Sequence, residues 1–348
     1  MVRELYEIIQ ANVLRASEGL NVLEDLAGFC RDGGSVSESL RSLKADIRNS
    51  LVEPLPDGLT YRQSAGDGVF PGSREYVADM IHGLKLLKDN FEKVQKALGA
   101  LVAILDSAGE SEFAKRYEDY RLAACDLEKT LYRIYCRDMK KKKLDTDLYC
   151  LTAEEYSLGR SNIEVVKAML SAGIRIIQYR EKEKKMLHKY RECVKIRELT
   201  YDAGAVFIVN DDVDLAIMVG ADGVHIGQDD LPADKVRELV GEEMIIGVST
   251  HSPQQAQDAI ARGADYIGVG PIFATKTKKD VCDPVGFEYL DYAVKHVAIP
   301  FVAIGGIKEH NISEIKARGA GLIAMVTEIV GAEDIEKKIE SIRQKLKG

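Results

Sequence analysis

From residue 147 onward the chain alternates short apolar runs with helix-length segments, and it does so eight times. The runs are Leu148–Leu151, Ile174–Tyr179, Val206–Val209, Gly223–His225, Met244–Val248, Tyr266–Val269, Phe301–Ile304 and Leu322–Met325. Strands separated by helices pair in parallel through right-handed crossovers. Eight such units within residues 147–348 match the arithmetic of a compact (β/α)8 TIM barrel. A doubly wound open sheet is the structural alternative.

The first 139 residues obey a different period. Leu5, Ile8, Ile9, Val13, Leu14, Leu20, Leu23 and Leu26 recur at helical spacing, as do Met80, Ile81, Leu84, Leu87, Phe91, Val94, Leu98, Leu101 and Ile104. Residues 52–74 between them hold Pro54, Pro56, Gly58, Gly66, Gly68, Pro71 and Gly72, a long loop of the kind that usually carries function or disorder. Asn12-x-x-Arg15-x4-Leu20-x-x-Leu23 is echoed by Asn90-x-x-Lys93-x4-Leu98-x-x-Leu101, and Arg41-x4-Asp46-Ile47-x3-Leu51 by Arg121-x4-Asp126-Leu127-x3-Leu131. Two matched segments in the same order suggest a duplicated helix pair packed as a bundle. The expected organisation is α/β overall: an all-α domain at 1–139, a linker at 140–146 around Lys140-Lys141-Lys142-Lys143, and the barrel at 147–348.

Composition narrows the function classes. A net charge of −8 disfavours nucleic acid as the main partner, because phosphate backbones select basic faces. No apolar run is long enough for a transmembrane helix, and Glu4 and Glu7 stand where an export signal would be positive. The six cysteines include no C-x-x-C pair and read as idle thiols of a cytoplasmic protein. Small-molecule substrates are the expected partners, and a homo-oligomer stays open.

In a barrel of this kind, chemistry sits just past the C-terminal ends of the strands. Those positions hold Gln178-Tyr179-Arg180-Glu181-Lys182, Asn210-Asp211-Asp212, His225 to Asp230, Ser249-Thr250-His251, Gly270-Pro271 with Thr275 to Lys279, Gly305-Gly306, and Val326-Thr327. Asp211 and Asp230 follow adjacent strands, where two carboxylates can share one hard cation. Mg2+ accepts one or two carboxylates and completes its shell with water and substrate phosphate oxygens. Arg180, Lys182 and Lys278 are cations suited to a diphosphate. For Asp212, Asp214 and Asp229, helix N-capping is the preferred reading. Gly305-Gly306 and Val326-Thr327 follow strands seven and eight, the usual phosphate cradle of this fold. The residues alone thus predict two phosphorylated ligands, one a magnesium diphosphate.

At Gln178–Lys182, Asn210-Asp211, His225-Ile226-Gly227-Gln228-x-Asp230, Gly247-Val248-Ser249, Gly270-Pro271-Ile272-Phe273-x-Thr275-x-Thr277-Lys278 and Gly305-Gly306-Ile307 the chain closely resembles thiamine phosphate synthases, over residues 146–348. The resemblance implies that hydroxymethylpyrimidine diphosphate is joined to hydroxyethylthiazole phosphate with release of pyrophosphate. It implies pyrimidine diphosphate contacts at Gln178, Tyr179, Arg180, Glu181, Lys182, Asn210, Ser249 and Lys278, with Arg180, Ser249 and Lys278 the catalytic set. Magnesium is implied at Asp211 and Asp230, and thiazole phosphate at Thr275, Thr277, Gly306, Val326 and Thr327. The implied mechanism is dissociative. Thiazole tautomerases resemble the same family but lack the diphosphate and magnesium set, and His251 would be an acid–base group there.

Asn12-x-x-Arg15-Ala16-x-Glu18-Gly19-Leu20-x-Val22-Leu23-Glu24-Asp25 and the Arg62-to-Gly72 loop resemble a helical domain sometimes fused upstream of such synthases, a hydroxymethylpyrimidine phosphate kinase. That resemblance implies ATP as co-substrate, although no G-x-x-x-x-G-K-[ST] loop is present. Arg15, Arg41, Arg62 and Asp67 are the physical candidates for phosphate and magnesium contacts. A scaffold or dimerisation bundle and a thiamine-binding regulatory module are the alternatives.

Overall fold

The computed structural model describes residues 2–50, 80–275 and 283–347, and the chain divides into two compact units, Met1–Met139 and Lys140–Gly348. The loop at 52–74, with Arg62 and Asp67, and the positions Thr277, Lys278 and Cys282 lie outside the described residues.

In the first unit, helices α1 (Val2–Phe29), α2 (Gly34–Asn49), α3 (Met80–Ser107) and the length of α4 (Ser111–Lys143) up to Met139 follow the apolar period, the last turn of α4 belonging to the second unit. Ile9, Val13, Leu20, Leu23 and Leu26 of α1 are buried against Leu40 and Ile47 of α2 and Leu87, Phe91, Val94 and Leu98 of α3. The apolar stripe is wider than the face it buries: Ile8 and Leu14 stay 50% and 55% exposed. Gly19 lets α1 and α3 approach, since a Cβ there would lie 2.7 Å from Val94 Cγ2. The echoed asparagines behave alike. Asn12 Nδ2 donates to Ile8 O at 2.9 Å and Asn90 Nδ2 to Leu86 O at 2.8 Å. The echoed arginines differ: Arg41 pairs across to Glu24 of α1, whereas Arg121 pairs with Glu118 on its own helix.

In the second unit, eight parallel strands close in sequence order: β1 (Leu148–Leu151), β2 (Ile176–Tyr179), β3 (Val206–Asn210), β4 (Gly223–Ile226), β5 (Ile245–Thr250), β6 (Tyr266–Val269), β7 (Phe301–Ala303) and β8 (Leu322–Met325). Closure is made by Leu148, Tyr149 and Cys150 of β1 against Ile323, Ala324 and Met325 of β8. The open-sheet alternative is thereby excluded. Alternate residues face opposite sides of a strand. Tyr149, Leu151, Ile176, Val206, Ile208, Ile245, Tyr266 and Val302 fill the interior, while Cys150, Ile177, Phe207, Val224, Ile246 and Ile267 pack outward.

The lower rim is charged. Asp147, Asp222 and Asp265 stand just before β1, β4 and β6, bound by Arg343, Arg197 and Arg237. The lysine run read as part of a linker is the last turn of α4. There Lys140 is buried and pairs with Asp265 at 2.7 Å, and Lys143 pairs with Asp222 at 2.7 Å. Four of the five described cysteines are buried. Among the described residues no helix is long and apolar enough to cross a membrane.

Candidate active site

The upper ends of the strands enclose a cavity of about 480 Å³. Gln178, Arg180, Lys182, Asn210, Asp211, Asp230 and Ser249 reach it from β2 to β5, and Thr275, Gly306, Val326 and Thr327 from β6 to β8. Strand order puts the tops of β3 and β4 across the barrel from those of β7 and β8. The cavity therefore has a wall of carboxylates and cations facing a wall of glycines and hydroxyls.

Two of the expected contact residues are elsewhere. Gln178 and Arg180 share the inward parity of β2, so Tyr179 and Glu181 point outward. The Tyr179 hydroxyl donates to Glu192 at 2.7 Å, and Glu181 accepts from the Glu154 N–H at 2.9 Å. Burial raises the pKa of both groups. They brace the segment that carries Arg180 and Lys182. Lys182 has left the strand and returns to the cavity.

Asp211 is held with φ 61°, a left-handed backbone that side chains seldom adopt. Its N–H donates to His225 O at 2.8 Å, which ties it to β4, the strand leading to Asp230. Burial first, then the neighbouring Asp230 charge, raises the Asp211 pKa, while Lys182 at 3.4 Å opposes the rise. Asp230 is itself oriented by the Gly227 N–H at 2.6 Å. Two crowded carboxylates with hard oxygens suit a divalent cation that neutralises both. Among the described residues no group of three or more His, Cys, Asp or Glu forms a metal cage. The two-carboxylate donor set fits Mg2+, which completes its shell with water and phosphate oxygens. Of the aspartates read as caps, Asp212 does precede a short helix (Val213–Met218), but its side chain pairs with Lys189 at 2.7 Å.

On the opposite wall Gly305 and Gly306 have φ 99° and 65°. A Cβ on Gly306 would lie 2.7 Å from Ala274 O and from Phe273 Cβ. Backbone conformation and packing against the segment after β6 require this glycine, beyond any need for an open phosphate cradle. Lys308 Nζ donates to Thr327 Oγ1 at 2.7 Å and adds a cation there that the sequence reading missed. Tyr149 and Tyr266 were also missed, and His225, quoted at a strand end, was given no role; all three line the barrel floor. The inward parity of β1, β4 and β6 was the signal that could have found them. His251, the acid–base group of the tautomerase alternative, lines the cavity with Nδ1 2.5 Å from Gly270 O.

Residues 7–130 match the ThiD2 family. A thiamine-phosphate synthase of Pelotomaculum thermopropionicum is 70% identical over 200 residues, covering 58% of this chain and 92% of that protein. One of Synechococcus sp. CC9311 is 35% identical over 346 residues, covering 97% and 95%. A solved thiamine phosphate pyrophosphorylase from Pyrococcus furiosus superposes with a TM-score of 0.54 at 34% identity, covering 59% of this chain and 98% of its own. Residues 148–329, which hold all eight strands and the described cavity, match the family described as thiamine monophosphate synthase, and it is to this family that the chain belongs.

Proposed function

We propose that the barrel joins hydroxymethylpyrimidine diphosphate to hydroxyethylthiazole phosphate, releasing pyrophosphate and forming thiamine phosphate. The observation that carries this reading is the convergence of Asp211, Asp230, Arg180, Lys182 and Ser249 on one wall of a single cavity. The C–O bond between the pyrimidine methylene and the diphosphate breaks, and pyrophosphate leaves with the bonding pair. The thiazole nitrogen then closes a C–N bond to the methylene carbon. Asp211 and Asp230 would hold Mg2+, which when bound would supply charge neutralisation for the leaving group. Arg180 and Lys182 add fixed positive charge to its oxygens. Lys308, Thr327 and Gly306 fit the thiazole phosphate on the far wall, so the two ligands meet across the cavity. No protein nucleophile is needed. The carboxylate pair and cations sharing this cavity weigh against a tautomerase, whose proton transfer expels no diphosphate.

For residues 1–139 we infer a hydroxymethylpyrimidine phosphate kinase that uses ATP. The sequence resemblance and the match to the ThiD2 family support this reading. The competing scaffold reading draws support from the charges. Arg41 is bound to Glu24, which lies nine residues beyond Arg15 on α1, about 13 Å along and half a turn round. Those two candidate cations therefore do not converge.

Both activities are tested on the full chain with pyrimidine monophosphate, thiazole phosphate, ATP and Mg2+. Thiamine phosphate should form, and preformed diphosphate should remove the need for ATP. Product from the diphosphate alone, with no ADP from the monophosphate, would leave the first unit as a scaffold. No product from either mixture would sink the barrel reading.

A further inference from the structure

A file of hydrogen-bonded side chains crosses the barrel interior beneath the cavity. Gln178 Nε2 lies 2.8 Å from the Tyr149 hydroxyl, which is 2.7 Å from the Tyr266 hydroxyl. The Tyr266 hydroxyl is 2.9 Å from His225 Nδ1, and His225 Nε2 is 2.9 Å from Ser249 Oγ. The chain thus runs from β2 through β1, β6 and β4 to β5.

We propose that Tyr149, Tyr266 and His225 are positioning residues whose hydrogens are ordered in one direction, so that Ser249 keeps its own hydroxyl hydrogen for a diphosphate oxygen in the cavity. An amide nitrogen can only donate. Tyr149 therefore receives the Gln178 hydrogen and passes its own to Tyr266. Tyr266 in turn gives its hydrogen to His225 Nδ1. A neutral imidazole that accepts at Nδ1 carries its hydrogen on Nε2, and that hydrogen goes to Ser249 Oγ. A serine oxygen that has accepted in this way still holds a hydrogen of its own, and Ser249 borders the cavity.

With the Gln178 amide nitrogen at the Tyr149 hydroxyl, the reverse order would leave the Tyr149 hydrogen without an acceptor; only turning that amide, oxygen inward, would permit it. Tyr149 and Tyr266 are 2% and 1% exposed, and an unmet buried donor is costly. Burial also raises the pKa of both phenols, which keeps them protonated as the chain requires. Gln228 Nε2 donates to Ser249 O at 2.6 Å and fixes the serine backbone.

The anion-directed part rests on the proposed synthase reading, whereas the hydrogen order does not. The test is therefore in two parts on the full chain. Nitrogen-15 NMR of the unliganded protein should find His225 neutral with its hydrogen on Nε2. A hydrogen on Nδ1, or on both nitrogens, would overturn the proposal. Calorimetry with Mg2+ and inorganic pyrophosphate should then show Tyr266→Phe binding about tenfold more weakly, with the KM for thiazole phosphate unmoved. Tyr149→Phe should lose less affinity and admit some of the other tautomer, and it carries the binding test if Tyr266→Phe does not fold. Unchanged affinity in both variants would overturn the proposal. Absence of pyrophosphate binding by the unaltered protein, with Nε2 protonated, would sink the diphosphate reading and the role of Ser249 with it.

Discussion

Gly247 of β5 lies so close under the ring of Tyr266 on β6 that a Cβ on the glycine would come within 2.1 Å of it. The ring's position is in turn what brings its hydroxyl to both Tyr149 and His225. Gly247→Ala must push the ring aside, and overpacking of this kind costs about 1–3 kcal/mol. Thermal melts should show that loss, and turnover should fall further than the melting shift explains. Normal turnover in a destabilised protein would mean that the ring position does not matter to the reaction.

Asp211 and Asp230 should be tested as asparagines. Asp211 holds φ 61°, a conformation Asn tolerates and Ala does not, so Asp211→Ala would mix strain with lost charge. Either asparagine variant should cut synthase turnover by about 10²–10³ while the melting temperature stays close to that of the parent. Excess EDTA should abolish the parent's activity. Activity surviving EDTA would refute the metal assignment.

Gly306 is a poor probe of the phosphate pocket, because any side chain there meets Phe273 and Ala274 before it fills the cavity. Gly306→Ala should cost about 1–2 kcal/mol from its left-handed backbone alone, and should raise the KM of both substrates. Lys308→Met is the cleaner variant: it removes the cation bound to Thr327 and should raise the KM for thiazole phosphate about tenfold. An equal rise for the pyrimidine would show the two pockets wrongly assigned.

Asp222 gives the lower rim a pH signature. Burial would raise its pKa, but Lys143, the Phe207 N–H and Arg197 together hold it below the ordinary value of 3.8. A depressed carboxylate contributes stability that is present above its unfolded pKa and lost as pH falls through the folded one. Asp222→Asn should therefore be less stable by about 3 kcal/mol near neutrality. The gap to the parent should close only below pH 3.8, by chemical denaturation at each pH. A gap that stays constant through acid would rule out this linkage.

Eight apolar runs of strand length, each followed by a helix-length segment, were enough to specify the barrel, because parallel strands with right-handed crossovers leave few ways to bury them. Boundaries moved by a residue or two, as at Ile176 and Thr250. The wall of Arg180, Lys182, Asn210, Asp211, Asp230 and Ser249 was legible for the same reason: strand ends are recognisable by their change from apolar to polar. Tyr179 and Glu181 were misread because adjacency in a motif ignores the two-residue alternation of a strand. Only closure of the barrel could bring Tyr149, Tyr266, His225 and Ser249 into one chain, since they come from four strands spread over a hundred residues and their neighbours are set by register. Closure also decided that Gly247 and Gly306 answer to packing, a demand that no local pattern records.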